Sequence, residues 1–206
     1  MLHIWGRLSS INVRKAVWAA QEVGAPFKRT DAGAAFGMVR TPEYLRMNPN
    51  ALVPTLQDGD LTLWESNVIV RYLCTRYPQA KLLPEAVAQR FEAEQWMDWQ
   101  QTTINPAGRT AFIQLIRTPA EQRQPELLRQ SVAATEPLMA ILDQHLSQRA
   151  FMLGEAFSMA DIPLGCEIHR WFGLPQPRPA WPHLERWFAA LCARTASKGV
   201  LDLKLS

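Results

Sequence analysis

Residues 51–73, ALVPTLQDGDLTLWESNVIVRYL, decide the fold of the first part of the chain. Two short apolar runs, residues 53–57 and 61–64, flank Asp58-Gly59, and runs separated by Asp-Gly are a strong signal for a two-stranded hairpin. Pro54 lies inside the first run, although proline has no N–H to donate to a strand ladder. The sequence therefore predicts a hairpin whose entry has an unusual backbone.

A polar segment, Glu65-Ser66-Asn67, separates this hairpin from an apolar helix that we predict over residues 66–77. A helix N-terminus needs only one capping side chain. A ligand that presents an ammonium and a carboxylate together would use both Glu65 and Ser66. The residues alone leave both interpretations open, a structural cap and a ligand site.

The residues before the hairpin predict a strand, a helix, a second strand and a short helix. Residues 2–5 alternate like a strand, and residues 11–23 carry an apolar stripe at helical spacing that Gly24-Ala25-Pro26 ends. Residues 26–30 suit the second strand, and Thr41-Pro42-Glu43 has the order of cap, N1 proline and first-turn acid that starts a helix. With the hairpin and its helix, this order is typical of an α/β domain.

Beyond Pro78 the strand signals end. The segment PQAKLLP, residues 78–84, has a proline at each end and predicts a linker. The helical segments predicted after it are residues 85–117, a region from Thr118 to about Arg149 with a kink at Pro137, residues 158–173 and residues 183–194. We therefore expect an α/β domain at residues 1–78, a linker at 79–84 and an all-helical domain at 85–206.

Two of these helices are predicted to begin with a capping box, in which the first and fourth residues bond each other's backbone N–H. The boxes are Thr118-Pro119-Ala120-Glu121 and Ser158-Met159-Ala160-Asp161. Asp161 could be taken for a functional carboxylate, but a helix cap that contributes about 1 kcal/mol accounts for its presence. We therefore assign Asp161 a structural role.

The composition excludes several classes of protein. The net charge is +3 in 206 residues, which does not indicate a nucleic-acid or membrane surface, and no apolar run suits a membrane helix or a signal peptide. The three cysteines lack CxxC spacing, the four histidines lack paired ligand spacing, and no glycine-rich nucleotide motif is present. We expect a soluble cytoplasmic protein without a metal site, a nucleic-acid partner or a membrane partner.

Two stretches remain as candidates for chemistry. One is the exit of the hairpin at Glu65-Ser66, and the other is Leu8-Ser9-Ser10-Ile11-Asn12, between the first strand and the first helix. In α/β units, ligands gather at strand ends and helix N-termini. Ser9, Ser10 and Asn12 are residue types that cap helices, and the same groups donate hydrogen bonds to an anion held there.

Four segments, in this order and at these intervals, resemble the glutathione transferase superfamily over nearly the whole chain. They are SSINVRKAVW after the first strand, NPNALVPTL with Val53-Pro54, LWESNVIVRYL with Glu65-Ser66, and FSMADI in the helical part. The resemblance is strongest to the serine-type bacterial, theta-like and zeta-like classes. It implies a thioredoxin-like N-terminal domain, a helical-bundle C-terminal domain, a homodimer, and glutathione as co-substrate without any cofactor.

The same resemblance implies a set of glutathione contacts. The Val53-Pro54 bond is expected to be cis, with the main chain of Val53 pairing with the tripeptide like an added strand. Glu65 would bind the ammonium of the γ-glutamyl end, and Ser66 with the helix N-terminus would bind its carboxylate. Arg40 is the candidate for the glycyl carboxylate.

The glutathione thiol is expected near the start of the first helix. Ser10 is the first candidate to donate a hydrogen bond to the thiolate, Asn12 is the second, and Ser9 is the alternative. The cysteine of the zeta-type isomerase motif is replaced by Ile11, and Trp5 stands near the position of the family's catalytic tyrosine. The side-chain activation is therefore expected to be of the serine type.

The resemblance places the second substrate between the domains, with Trp99, Arg109 and Phe112 as its candidate contacts. Trp96 and Trp99 are three residues apart and share a helix face, so core packing remains open for at least one of them. The implied activity is conjugation of the glutathione thiolate to a small electrophile. The alternatives are a glutathione-dependent isomerase or peroxidase and a non-enzymatic interaction protein on the same fold.

Overall fold

The computed structural model of the protein describes all residues from 1 to 206. They form two compact units, Met1–Leu83 and Pro84–Ser206. The first contains a four-stranded sheet with helices, and the second is helical. The predicted fold class, an α/β domain of thioredoxin-like type followed by an all-α domain, is confirmed.

The first unit contains seven regular elements. They are β1 (Leu2–Trp5), α1 (Ile11–Glu22), β2 (Phe27–Thr30), α2 (Pro42–Met47), β3 (Thr55–Asp58), β4 (Leu61–Trp64) and α3 (Ser66–Arg76). The sheet order is β2-β1-β3-β4; β1 and β2 pair in parallel, and the other two neighbouring pairs are antiparallel. The carboxyl ends of β1, β2 and β4 therefore meet the amino end of β3 at one edge of the sheet, which is called the ligand edge below.

The helices of this unit form where the sequence predicts them. α1 buries Val13, Ala16, Val17 and Ala20, and α3 buries Ile69, Val70 and Leu73, so both apolar stripes are removed from water. The Thr41 hydroxyl accepts a hydrogen bond from the backbone N–H of Tyr44 at 3.3 Å, with Pro42 as the first helical residue. The predicted cap of α2 is confirmed.

The hairpin differs from the prediction at both ends of its first strand. β3 begins at Thr55, so Val53 and Pro54 precede the ladder, because a proline cannot donate to it. Asp58 pairs with Leu61, which makes Gly59-Asp60 the two-residue loop, one position later than predicted. Gly59 supplies the positive φ, +58°, that this loop requires.

The second unit is built from five α-helices. They are α4 (Val87–Trp99), α5 (Asn105–Phe112), α6 (Pro125–His145), α7 (Asp161–Phe172) and α8 (Pro182–Cys192). The helix predicted at 85–117 is realised as α4 and α5 with two π-helical turns, Gln100–Ile104 and Ile113–Arg117. None of the helices combines the length and apolar composition that a membrane span requires.

The predicted capping box at residues 118–121 is wrong. The Thr118 hydroxyl donates at 3.0 Å to the carbonyl of Ile113, so it caps the end of the preceding helix instead of starting the next one. Only a short 3-10 turn, Ala120–Gln122, follows, and α6 begins at Pro125. The Thr118 hydroxyl accepts no hydrogen bond from the backbone N–H of Glu121, so the reciprocal pair of a box is absent.

The second predicted capping box forms only in part, and its acid does more than cap a helix. Asp161 accepts the backbone N–H of Ser158, as in a box, and also the Ser158 hydroxyl, but its own backbone N–H donates to the carbonyl of Ser158 instead of the hydroxyl. It also accepts the backbone N–H of Met152 at 2.9 Å and the indole N–H of Trp187 at 2.8 Å. Burial raises the pKa of Asp161, and these hydrogen bonds act in the opposite direction. Asp161 thus ties α7 to α8 and to the loop before it.

Candidate functional site

A shallow depression at the ligand edge brings five of the predicted site residues together. They are Asn12, Val53, Pro54, Glu65 and Ser66, and the remaining lining residues are Asn48, Asn50, Leu52 and Trp64. The start of β3 and the end of β4 lie side by side in the sheet, and a hydrogen bond between Ser66 and Asn12 shows that the start of α1 is next to them. The depression lies within the first unit.

The peptide at Val53 provides a free hydrogen-bonding edge. The Val53-Pro54 bond is cis, as expected. Neither the N–H nor the C=O of Val53 makes a hydrogen bond within the chain. Because an extended ligand can pair with such an edge as an added strand, this backbone is suited to bind a peptide.

The residues before Val53 are held by a buried polar network. The Tyr44 hydroxyl donates at 2.7 Å to the carbonyl of Leu52, and the Asn48 amide donates to the same carbonyl at 3.0 Å. Both side chains also contact the hydroxyl of Thr55. Burial raises the pKa of Tyr44, so its hydroxyl keeps the proton that it donates. The free edge is therefore presented on a rigid support.

Glu65 has a conformation that a non-glycine residue rarely adopts. Its φ is +70° and its ψ is 110°, immediately before the first residue of α3. Such a backbone costs about 1–3 kcal/mol and is concentrated at functional sites. The carboxylate is exposed and has no hydrogen-bond or ion-pair partner within the chain. It makes no capping bond, so the structural-cap interpretation of Glu65 is wrong.

Ser66 links the two candidate stretches of the sequence. Its hydroxyl donates at 3.3 Å to the side-chain oxygen of Asn12, which is 54 residues away in the chain. Ser66 is 3% exposed and is the first residue of α3, where backbone N–H groups without helical partners favour an anion. A carboxylate at this helix start would meet these N–H groups and the Ser66 hydroxyl.

Ser9 and Ser10 lie in the loop between β1 and α1 and do not line the depression. Ser10 is the N-terminal cap residue of α1 by position, but its hydroxyl makes no capping bond and no other hydrogen bond within the chain. The buried Arg14 supports this loop by donating at 2.7 Å to the carbonyl of Leu8. The hydroxyl of Ser10 is thus free to bind a ligand atom.

Two other residues of the first unit that the sequence brought into question, Arg40 and Trp5, lie outside the depression. Arg40 is exposed in the loop before α2 and does not line the depression. Trp5 donates its indole N–H to the side-chain oxygen of Gln57 at 2.7 Å, and its ring lies 4.1 Å from that of His3. Trp5 is therefore bound to the sheet and supplies no donor to the depression.

The three candidate electrophile contacts lie in the second unit and have different surroundings. Trp99 is half-buried, with its ring edge-on to Trp96 at 5.4 Å. Phe112 is buried, and the guanidinium of Arg117 lies 4.7 Å from its ring centre. Arg109 is exposed. Of the three, Phe112 has the environment of a core residue.

Sequence reasoning missed four residues of the depression: Asn48, Asn50, Leu52 and Trp64. Asn48 is the most informative, because its side-chain oxygen also accepts the backbone N–H of Asn50 at 3.1 Å. The asparagines of NPNAL precede the Val53-Pro54 step by only a few residues. Their proximity to a proline just before a strand is the signal that they shape this loop.

Comparisons with known proteins give a consistent result. The family models for the N-terminal and C-terminal domains of glutathione S-transferase match residues 1–75 and 104–195. Glutathione S-transferase GstB of Escherichia coli K12 is 38% identical over 100% of both chains. Probable glutathione S-transferase GSTF2 of rice, Oryza sativa subsp. japonica, is 25% identical over 98% of this chain and 96% of the relative.

A solved structure is similar over the full length. It is the theta class glutathione S-transferase of Xanthomonas axonopodis pv. citri with glutathione bound, which superposes with a TM-score of 0.96 at 43% identity. The match covers 100% of this chain and 99% of that one.

Proposed function

This chain belongs to the glutathione S-transferase family, and we propose that it joins the thiolate of glutathione to a small electrophile. The observation that carries the proposal is the free peptide edge at Val53 beside the unpaired carboxylate of Glu65. The Xanthomonas relative holds glutathione in its crystal structure, which supports the same ligand here.

The γ-glutamyl end of glutathione carries an ammonium and a carboxylate on one carbon. Glu65 receives the ammonium, since its carboxylate is exposed and has no partner within the chain. The carboxylate binds to the Ser66 hydroxyl and to the backbone N–H groups at the start of α3. The strained backbone of Glu65 holds its carboxylate next to the start of α3.

The cysteinyl residue of glutathione pairs with the backbone of Val53. Its thiol then lies toward the loop between β1 and α1, where the Ser10 hydroxyl has no other partner. A free thiol has a pKa of about 8.5, so only a minor fraction is thiolate at neutral pH. A hydrogen bond from Ser10 stabilises the thiolate and raises that fraction, and Asn12 orders the adjacent turn through Ser66.

The reaction needs no redox step. The thiol releases its proton to water, the thiolate sulfur attacks an electrophilic carbon, and the carbon–sulfur bond forms as the leaving group departs with its electron pair. Trp99, Arg109 and Phe112 of the second unit are proposed contacts of the electrophile. The protein is proposed to act as a cytoplasmic homodimer, with exposed apolar side chains such as Val68 on α3 and Phe91 on α4 covered by the partner.

A product analysis tests this proposal. The protein is incubated with glutathione and, separately, with haloaromatics, haloacids, epoxides and hydroperoxides, and the products are identified by mass spectrometry. We expect a thioether conjugate with at least one of the alkylating compounds, formed faster than without enzyme. Oxidised glutathione formed only with hydroperoxides would indicate a peroxidase instead, and failure to bind glutathione in calorimetry would indicate an interaction protein.

A further inference from the structure

Arg7, in the loop between β1 and α1, is a half-buried cation without a partner. Its side chain makes no hydrogen bond and no ion pair within the chain. The neighbouring arginines differ from it in this respect. Arg14 donates to the carbonyl of Leu8, and Arg29 donates to the carbonyl of Gly6 and pairs with Asp31. Asp31, the acid that follows β2, is therefore already occupied.

The guanidinium of Arg7 lies at the ligand edge, next to Val53. Both residues are adjacent to Gly33. A Cβ atom built on Gly33 would lie 2.8 Å from Nη1 of Arg7 and 3.5 Å from Cγ1 of Val53. Gly33 also has a φ of +80°, which favours glycine. The absence of a side chain at Gly33 thus leaves the space that the guanidinium occupies beside the free peptide edge.

The strand order sets Arg7 and Glu65 on opposite sides of Val53. β1, which leads into Arg7, lies between β2 and β3, whereas Glu65 follows the outer strand β4. A ligand paired with Val53 therefore has an unpaired carboxylate on one side and an unpaired guanidinium on the other. A partly desolvated cation without a counter-charge is unfavourable, and an incoming carboxylate would compensate it with two parallel hydrogen bonds.

We propose that Arg7 binds a carboxylate of the ligands held at this edge. The inference rests on the proposed function, which supplies two sources of that group. One is the glycyl carboxylate of glutathione, for which Arg7 replaces the exposed Arg40 as the structural candidate. The other is the carboxylate of an anionic electrophile that approaches the thiolate.

Two matched ligand pairs separate these sources. Calorimetry compares glutathione with glutathione amidated at its glycine, and kinetics compares iodoacetate with iodoacetamide as electrophile. The variants are Arg7→Gln and Arg7→Lys, and Arg46→Gln on α2 is the control, because Arg46 is an exposed arginine paired with Glu43. Circular dichroism and thermal unfolding establish that each variant is folded.

The two sources of the carboxylate predict that Arg7→Gln weakens different measured quantities. If Arg7 binds the glycyl carboxylate, Arg7→Gln raises the Kd of glutathione about 10- to 100-fold and leaves the Kd of the amide unchanged. If Arg7 binds the electrophile, the Kd of glutathione is unchanged, and kcat/KM falls about 10- to 100-fold for iodoacetate but not for iodoacetamide. In both cases Arg7→Lys retains part of the effect, because the charge remains and the planar fork is lost.

Two results would overturn the inference in distinguishable ways. If the wild type binds glutathione and forms conjugates while Arg7→Gln matches Arg46→Gln in every measurement, Arg7 has no role in carboxylate binding. If the wild type neither binds glutathione nor forms conjugates, the proposed function fails, and the inference fails with it.

Discussion

The Glu65 carboxylate is the group whose removal should separate ligand binding from folding most clearly. It is exposed, has no partner within the chain and has a φ of +70°. Glu65→Ala removes the carboxylate and keeps a Cβ on the strained backbone. A hydrogen bond to a charged group is worth about 1.5–3 kcal/mol, so the Kd for glutathione should rise about 10- to 150-fold.

The free energy of unfolding should depend on the backbone conformation of residue 65, whereas glutathione binding should depend on the carboxylate. Glu65→Gly also loses the carboxylate, but glycine adopts a positive φ without the steric cost that alanine has there. The free energy of unfolding of Glu65→Gly should therefore be about 1 kcal/mol higher than that of Glu65→Ala, although glycine usually makes a protein less stable than alanine does. Both variants should bind glutathione equally weakly.

Titration calorimetry with glutathione and urea unfolding are the two assays. Asp60→Asn is the control, since Asp60 is an exposed acid in the loop at the far end of the same hairpin. The reasoning is refuted if Glu65→Ala, still folded, binds glutathione with the affinity of the wild type. In that case the unusual backbone of Glu65 has no connection to the ligand.

Three further outcomes concern stability, thiol reactivity and assembly. Asp161→Ala should lower the free energy of unfolding by at least about 3 kcal/mol in urea titration, since each buried donor left without an acceptor costs about 1–3 kcal/mol; a loss under 1 kcal/mol would contradict this role. Cys74 and Cys166 are buried, and burial raises the pKa of Cys74 to about 12, so in the native protein only the exposed Cys192 should react with a disulfide reagent. More than one thiol titrated before unfolding would show the core to be more open than described. Sedimentation should give twice the chain mass of 23.4 kDa, and Phe91→Glu should shift it to the single-chain mass; a wild-type monomer at micromolar concentration would exclude the homodimer.

The regular elements were predictable because their signals are local. Apolar alternation in residues 2–5 and the helical stripe of residues 11–23 each depend on a few neighbouring residues, and the observed bounds differ by at most about one residue. The predicted capping box at Thr118 does not form because the right residue types are necessary for a box but not sufficient. Whether a threonine bonds forward or backward depends on the path of the chain around it, which local composition does not contain.

The candidate site was predictable in part, for a related reason. The Glu65-Ser66 pair and the Val53-Pro54 step are contiguous in sequence and carried recognisable motifs. The contact between Ser66 and Asn12 joins residues 54 positions apart, and it exists only because the sheet places β4 and the start of α1 at one edge. Arg7 belongs to no motif, and its proposed role as a carboxylate-binding residue follows from the absence of a partner for its side chain within the chain.

The ionisation of bound glutathione tests the central claim most directly, because it requires both binding and activation of the thiol. The ultraviolet absorbance of the thiolate is titrated against pH in the complex of the protein with saturating glutathione. We predict a midpoint below the pKa of about 8.5 of a free thiol, each unit corresponding to about 1.4 kcal/mol in favour of the thiolate. Ser10→Ala should move the midpoint back toward that of free glutathione without weakening binding as Glu65→Ala does, and Asn12→Ala should move the midpoint in the same direction more weakly. A shift lost only in Ser9→Ala would move the donor one residue back. A wild-type complex whose midpoint equals that of free glutathione would contradict the account.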